Sequence, residues 1–247
     1  MIQIIPDADF SGNGLQSVAS PLPSHGGKLF ATYLPGSGWN GLSNAGQDYS
    51  GQRGDLYLGS APVGTLGVGG VAADYAQTPF TSSESAAGMG QATWCGVVKV
   101  PAGTTITPVF NAAGANPYAA LHISPEFNNI AAFKVDGTGA TQVQHVFDAS
   151  VKGQWAFVHG RWDAATIKAG LVRPAAGWVG AAGYTALANS KSFLNALPIR
   201  ILPLDGTAVG NPELAIGGFY SAALSDAELA EVYYSARTAM AMKGVQI

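Results

Sequence analysis

Glu213–Met240 reads ELAIGGFY followed by SAALSDAELAEVYYSARTAM, and this stretch decides the fold. The first eight residues are almost wholly apolar or small, as in a buried strand. Ser225 stands where a helix N-cap belongs, and Glu228 follows three residues later, completing a capping box. Leu224 before the cap and Leu229 after it have the spacing of a hydrophobic staple. Leu229, Val232, Tyr233, Ala236 and Met240 then fall on one helical face. The spacing predicts a buried strand that turns tightly into a single amphipathic helix.

Upstream of this unit the chain reads as strands. Apolar or alternating runs lie at Lys28–Leu34, Arg53–Leu58, Ala92–Val100, Thr105–Phe110, Tyr118–Ile123, Ile130–Asp136, Thr141–Phe147, Gln154–Trp162, Ile167–Val172 and Ile199–Leu204. Asp136-Gly137, set between two such runs, is a hairpin signal. In Gln154–Trp162 strict alternation puts Trp155, Phe157, His159 and Arg161 on one face and Ala156, Val158 and Trp162 on the other. Pro35–Gly54 reads as a long loop, and Gly59–Gly90 as a Gly-, Ala- and Ser-rich stretch with no helical period. Helical patterns between the strands are missing, which excludes a doubly wound sheet. The expected fold is all-β, an antiparallel sandwich with one short C-terminal helix. Residues 1–27, broken by SPLPSHGG, read as an arm, and residues 28–247 as one domain.

Charged residues make up 11% of the 247, well under the roughly one quarter usual in soluble domains. Such a neutral surface suits a subunit covered by its neighbours, so self-association or docking into a larger assembly is expected. The net charge of −3, with no run of Lys or Arg, excludes nucleic acid and anionic membrane surfaces as partners. The single cysteine, Cys95, alternates within a strand and reads as a small buried hydrophobe rather than a catalytic thiol. MIQIIPDADFSG lacks the layout of a signal peptide, and uncharged Leu56–Ala73 carries too many glycines, with Pro62, for a membrane helix. Synthesis in the cytoplasm without secretory export is expected.

Three segments carry a family resemblance: Asp48–Ser60 (DYSGQRGDLYLGS), Lys152–Val172 (KGQWAFVHGRWDAATIKAGLV) and Ile216–Ala236 (IGGFYSAALSDAELAEVYYSA). In this order they resemble the concanavalin A-like lectin/glucanase superfamily in its laminin G-like form, of the kind found in phage virion proteins. The resemblance implies two antiparallel sheets in a jelly roll, one concave and often used to hold sugars. The calcium-binding acidic loops of many members have no match in this chain. Nor does the Glu-x-Asp-x-Glu strand of the hydrolase branch. The five glutamates are Glu84, Glu126, Glu213, Glu228 and Glu231. Glu228 is engaged in the helix cap, and no strand presents the carboxylate pair that glycoside hydrolysis requires.

Other motifs favour plain readings. Asp7–Gly12 matches the first half of an acidic calcium loop, but Val18 stands where the bidentate Glu belongs, so a turn after Pro6 is the simpler reading. Gly67–Ala72 matches a loose dinucleotide fingerprint without the flanking strand and helix that would make it work. His25, His122, His145 and His159 show no ligand spacing, so no metal, cofactor or catalytic residue is assigned. Aromatics beside polar groups are the better lead, because sugars stack on rings and hydrogen-bond to amides and carboxylates. Trp39 with Asn40, Asp48 with Tyr49, Trp178 and Tyr184 all fall in predicted loops and are the candidate ligand contacts. Trp94, Trp155 and Trp162 fall in strands and are expected in the core.

A lectin-like domain without an export signal or disulfide fits a phage or prophage virion protein, made in the host cytoplasm and released by lysis. The expectation is a non-enzymatic structural subunit of a tail, fibre or capsid surface that contacts host glycan or neighbouring subunits. The alternative is a carbohydrate-active hydrolase on the same fold.

Overall fold

The computed structural model describes residues 20–69, 75–86, 90–103, 106–112, 118–136, 139–163, 166–172, 184–186, 195–202 and 212–247. The arm up to residue 19, with the acidic loop Asp7–Gly12, and Trp178 lie outside the described residues.

The chain runs β1 (Leu29–Tyr33), α1 (Ser37–Asn40), β2 (Val68–Gly69), β3 (Ala76–Thr81), α2 (Ser82–Ser85), β4 (Ala92–Lys99), β5 (Thr107–Asn111), β6 (Tyr118–Ser124), β7 (Asn129–Asp136), β8 (Gly139–Val146), β9 (Trp155–Trp162), β10 (Thr166–Val172), β11 (Tyr184–Ala186), β12 (Pro198–Ile201), β13 (Glu213–Tyr220) and α3 (Asp226–Met242). Two antiparallel sheets result. One has the order β1-β13-β4-β9-β10-β11, with β2 added to β13; the other has the order β3-β12-β5-β6-β7-β8. The strands β5 to β8 form a meander, and β7 pairs with β8 up to Asp136 opposite Gly139. Elsewhere the chain passes repeatedly from one sheet to the other, so the layers are interleaved in sequence.

Alternation in β9 explains the layering. Ala156, Val158 and Trp162 enter the core between the sheets, while Phe157 faces the opposite way into a second cluster with Trp155 packed against it. The two faces are those set by the sequence period. Trp94 and Trp162 are fully buried, and their indole N–H groups donate to Ser85 Oγ at 3.3 Å and Phe133 O at 2.9 Å. Trp155 is only half-buried. Cys95 is fully buried beneath α3, where burial pushes its thiol up and away from reactivity.

The second cluster lies under α3. Leu229, Val232, Tyr233, Ala236, Ala239 and Met240 bury their side chains against Val97, Phe157, Ile216 and Tyr220 of the first sheet. Each large side chain contributes on the order of 1.5–3 kcal/mol by leaving water. Ser225 Oγ accepts the Glu228 N–H at 3.2 Å, and the Glu228 carboxylate accepts the Ser225 N–H at 2.9 Å. Lys28 pairs with the same carboxylate. The lysine and the cap hold the Glu228 carboxyl down, at about 2. Arg161, buried on β9, donates to Leu224 O at 2.7 Å and pairs with Asp226 at 2.6 Å, fixing the start of α3 to the sheet. Ser225→Ala is expected to cost about 1 kcal/mol in urea unfolding, through loss of one half of this cap.

Two sequence expectations are corrected. Arg53–Leu58 is not a strand: its sole β contact is an isolated bridge between Tyr57 and Gln77. Gly59–Gly90, read as a Gly-, Ala- and Ser-rich stretch with no helical period, contains the strands β2 and β3 and the single helical turn α2, begun by a capping box of Thr81 and Glu84.

Candidate functional site

Asp48 organises the loop after β1. Its carboxylate accepts the N–H groups of Thr32 at 3.1 Å, Ser50 at 2.9 Å and Arg53 at 2.7 Å, and the Ser50 hydroxyl at 2.9 Å. The chain is thereby wound around one buried anion, which charge-assisted bonds stabilise. Tyr33 closes the same loop by donating to Gly54 O at 3.0 Å. Burial, with Asp48 and Asp55 close by, pushes its phenol up, so it serves as a neutral donor.

Leaving this loop, Leu56 enters the core and its N–H donates to Gly46 O at 2.7 Å. A Cβ on Gly46 would stand 2.8 Å from Leu56 O, so the two segments approach this closely only because residue 46 is glycine. Tyr57 points the opposite way and exchanges two backbone hydrogen bonds of 2.8 Å with Gln77. Its side chain is 69% exposed, the far side of a residue pair whose other member is buried.

Between this segment and β3 lies a cleft of about 660 Å³. Gln47, Asp55, Tyr57, Tyr75 and Gln77 supply its polar and aromatic walls. Asp55 is positioned by the Asp48 N–H, which donates to its Oδ1 at 3.1 Å. The Arg200 guanidinium sits over the Tyr75 ring, 5.1 Å from its centroid, and supports that wall. An open ring face, two amides and a carboxylate around a cavity of this size suit a small polar ligand with apolar C–H faces.

The candidates read from sequence occupy other places. Asp48 and Tyr49 are buried, the first as the loop's anchor and the second in the cluster under α3. Trp39 is half-buried against that same cluster, donates its indole N–H to Leu66 O at 2.7 Å and carries Lys243 Nζ 5.3 Å above its ring. Trp39 and Tyr49 thus meet around one cluster, on the α3 side, and neither lines the cleft. The side chains of Asn40 and Tyr184 lie outside the described residues, as does the whole of Trp178. The cleft residues Asp55, Tyr57 and Tyr75 were not legible as a site. Their one signal is parity: in DLYLGS, if Leu56 and Leu58 point inward, Tyr57 must point out.

Of the histidines, His145 and His159 lie near enough for charge on one to lower the affinity of the other for a proton. No group of three or more potential metal ligands occurs among the described residues.

No protein-family model matches the chain. No curated protein matches it in sequence. Solved structures do match in fold. The botulinum neurotoxin serotype D binding domain superposes with a TM-score of 0.65 at 12% identity, over 84% of this chain and 50% of that one. The serotype D ligand-binding domain in complex with N-acetylneuraminic acid gives 0.63 at 12% identity, over 84% and 50%. The receptor-binding domain of a C/D mosaic serotype, with tetraethylene glycol on its Hcn sub-domain, gives 0.61 at 14%, again over 84% and 50%. The chain therefore spans about half the length of these structures. At such identity the likeness establishes a shared fold, the two-layered antiparallel β-sandwich, and nothing finer.

Proposed function

We propose that the protein is a non-enzymatic structural subunit of a phage or prophage virion, at a tail, fibre or capsid surface. Its β-sandwich is a concanavalin A-like jelly roll that holds host-surface carbohydrate in the cleft beside Tyr57. The observation that carries the glycan reading is that cleft: about 660 Å³, open, and walled by an exposed tyrosine, amides and one carboxylate. Botulinum neurotoxin binding domains of similar fold, one of them in complex with N-acetylneuraminic acid, support it as analogy. The virion reading is supported by the low charge, 11% of residues, which suits a surface covered by neighbouring subunits. Residues 1–27 serve as the docking arm in this reading. Binding is favoured over hydrolysis because Asp55 is the one carboxylate among the described residues lining the cleft, and glycosidases of the usual kind need two.

The test has two arms. On a glycan array the intact protein binds at least one oligosaccharide, and Tyr57→Ala weakens that binding by about tenfold or more, the cost of one lost stacking surface. Its melting temperature stays within about 1 °C, since the side chain is exposed. In gentle fractionation of the natural source the protein sediments with virions. Silence on the array removes the glycan reading, and recovery only as a free monomer removes the virion reading.

A further inference from the structure

We propose that the cleft selects uncharged sugars and rejects acidic ones, holding a pair of sugar hydroxyls on Asp55 while the sugar's C–H face lies on Tyr57. This rests on the glycan reading above and goes beyond it by naming the ligand's charge. It also separates this chain from the similarly folded domain solved with N-acetylneuraminic acid, an acidic sugar.

The charges around the cleft carry the inference. Among the described residues lining it, Asp55 is the sole acidic or basic side chain; the rest are amides, hydroxyls, tyrosines, leucines and glycines. Two arginines stand nearby, and each is engaged with an aromatic ring. Arg53 places its guanidinium 3.8 Å from the centre of the Phe30 ring, in a separate cleft that also borders Glu84. Arg200 lies over the Tyr75 ring and is not among the lining residues. A ligand carboxylate entering the cleft therefore meets a like charge at Asp55, and no guanidinium is among the described residues that line it. Recognition of an acidic sugar calls for the reverse, a bidentate cation.

Asp55 is equally suited to the positive half of the claim. An ionised carboxylate only accepts hydrogen bonds, and its two oxygens match two neighbouring hydroxyl donors. The Asp48 N–H already occupies Oδ1 from behind, at 3.1 Å, and fixes the carboxylate beside Tyr57 before any ligand arrives. Gln47 and Gln77 add amide edges that suit ring oxygens and further hydroxyls.

The experiment titrates the intact protein, and its Asp55→Asn and Tyr57→Ala variants, with lactose, N-acetyllactosamine, maltotetraose and chitotetraose. In parallel it uses 3′-sialyllactose, 6′-sialyllactose and tetragalacturonate. At least one neutral probe is expected to bind about tenfold or more tightly than every acidic probe, as like-charge repulsion near a carboxylate predicts. Its affinity should change little between low and moderate salt. Asp55→Asn should cut that affinity by about tenfold and narrow the gap to the acidic probes, because it removes both the acceptor pair and the repulsion. Acidic probes binding as well as neutral ones, or better, with loss in Tyr57→Ala, would overturn the charge inference and leave the cleft as a glycan site. Neutral binding untouched by either substitution would place the sugar elsewhere and overturn it too. If no probe binds at all, the glycan reading itself falls, and this inference with it.

Discussion

Phe219→Ala is expected to destabilise the protein by about 4 kcal/mol, within the range for emptying a large aromatic site in a close-packed core. Phe219 is fully buried on β13, the strand flanked by β1 and β4. Its ring lies 5.1 Å from that of Phe110, 5.3 Å from Phe80, 6.2 Å from Tyr33 and 6.3 Å from Trp94, all edge-on or nearly so. Tyr33 and Trp94 belong to its own sheet, whereas Phe80 and Phe110 belong to the facing one. The substitution therefore breaks four aromatic contacts and removes the ring that joins the two layers. Edge-to-face pairs add about 0.5–1.5 kcal/mol each beyond the area they bury, so this site stands at the costly end of core truncations. A domain stable by about 5–15 kcal/mol would lose a large part of its margin. Urea unfolding followed by tryptophan fluorescence measures the change, and Phe219→Leu, which keeps most of the volume, should recover more than half of it. A loss under about 1.5 kcal/mol for the alanine variant would mean that the facing sheet collapses into the gap and that the layers are not pinned here.

Phe219 was legible only as a member of an apolar run. What the sequence did disclose was local chemistry. The Ser225–Glu228 box and the spacing from Leu229 to Met240 are interactions within one helix, so their partners are three or four residues apart and can be read directly. The same box at Thr81–Glu84 begins α2, but it introduces only four helical residues and offers no periodicity to confirm it. β3 was hidden by Pro79, a residue that argues against a central strand. It is tolerated because β3 lies at the edge of its sheet. Arg53–Leu58 looked like a strand because its residues alternate, yet the Asp48 carboxylate holds the Arg53 N–H and leaves only Tyr57 to pair. That capture joins residues brought together by the fold, Thr32 among them, and no local pattern announces it. The candidate site was obscure for a related reason. A loop aromatic can meet a ligand or pack locally, and sequence does not say which: this loop is folded back on the sheet and buries Tyr49, while Tyr57, in a run that reads as a strand, is the ring left open.

The last consequence concerns acid. In the window below pH 6.5 the protein is expected to lose stability at up to about 1.4 kcal/mol per pH unit, through His159. The imidazole is fully buried on β9, and burial, with the Arg161 and His145 charges beside it, lowers its pKa well below the ordinary 6.5. In this window the unfolded chain takes up a proton that the folded one refuses. The stability that the neutral ring confers is therefore complete above the unfolded value and drains away as pH falls toward the folded one. Packing leaves no room for relief. A Cβ on Gly170, the residue opposite His159 on β10, would overlap Nε2, so the ring already fills the space that the glycine leaves. His145, half-buried and shifted in the same direction, adds a smaller share. Glu228 acts lower on the scale: its carboxyl is held at about 2, so its contribution is retained above the ordinary carboxylate range and begins to fail only as pH drops through 4.5. The two groups are thus separable in a pH series of urea midpoints. His159→Gln should flatten the upper part of the curve while leaving the lower part in place. Parallel curves for the two proteins between pH 6.5 and 4.5 would show that the ring titrates alike folded and unfolded, and that the strand beneath α3 admits a charge its packing should forbid.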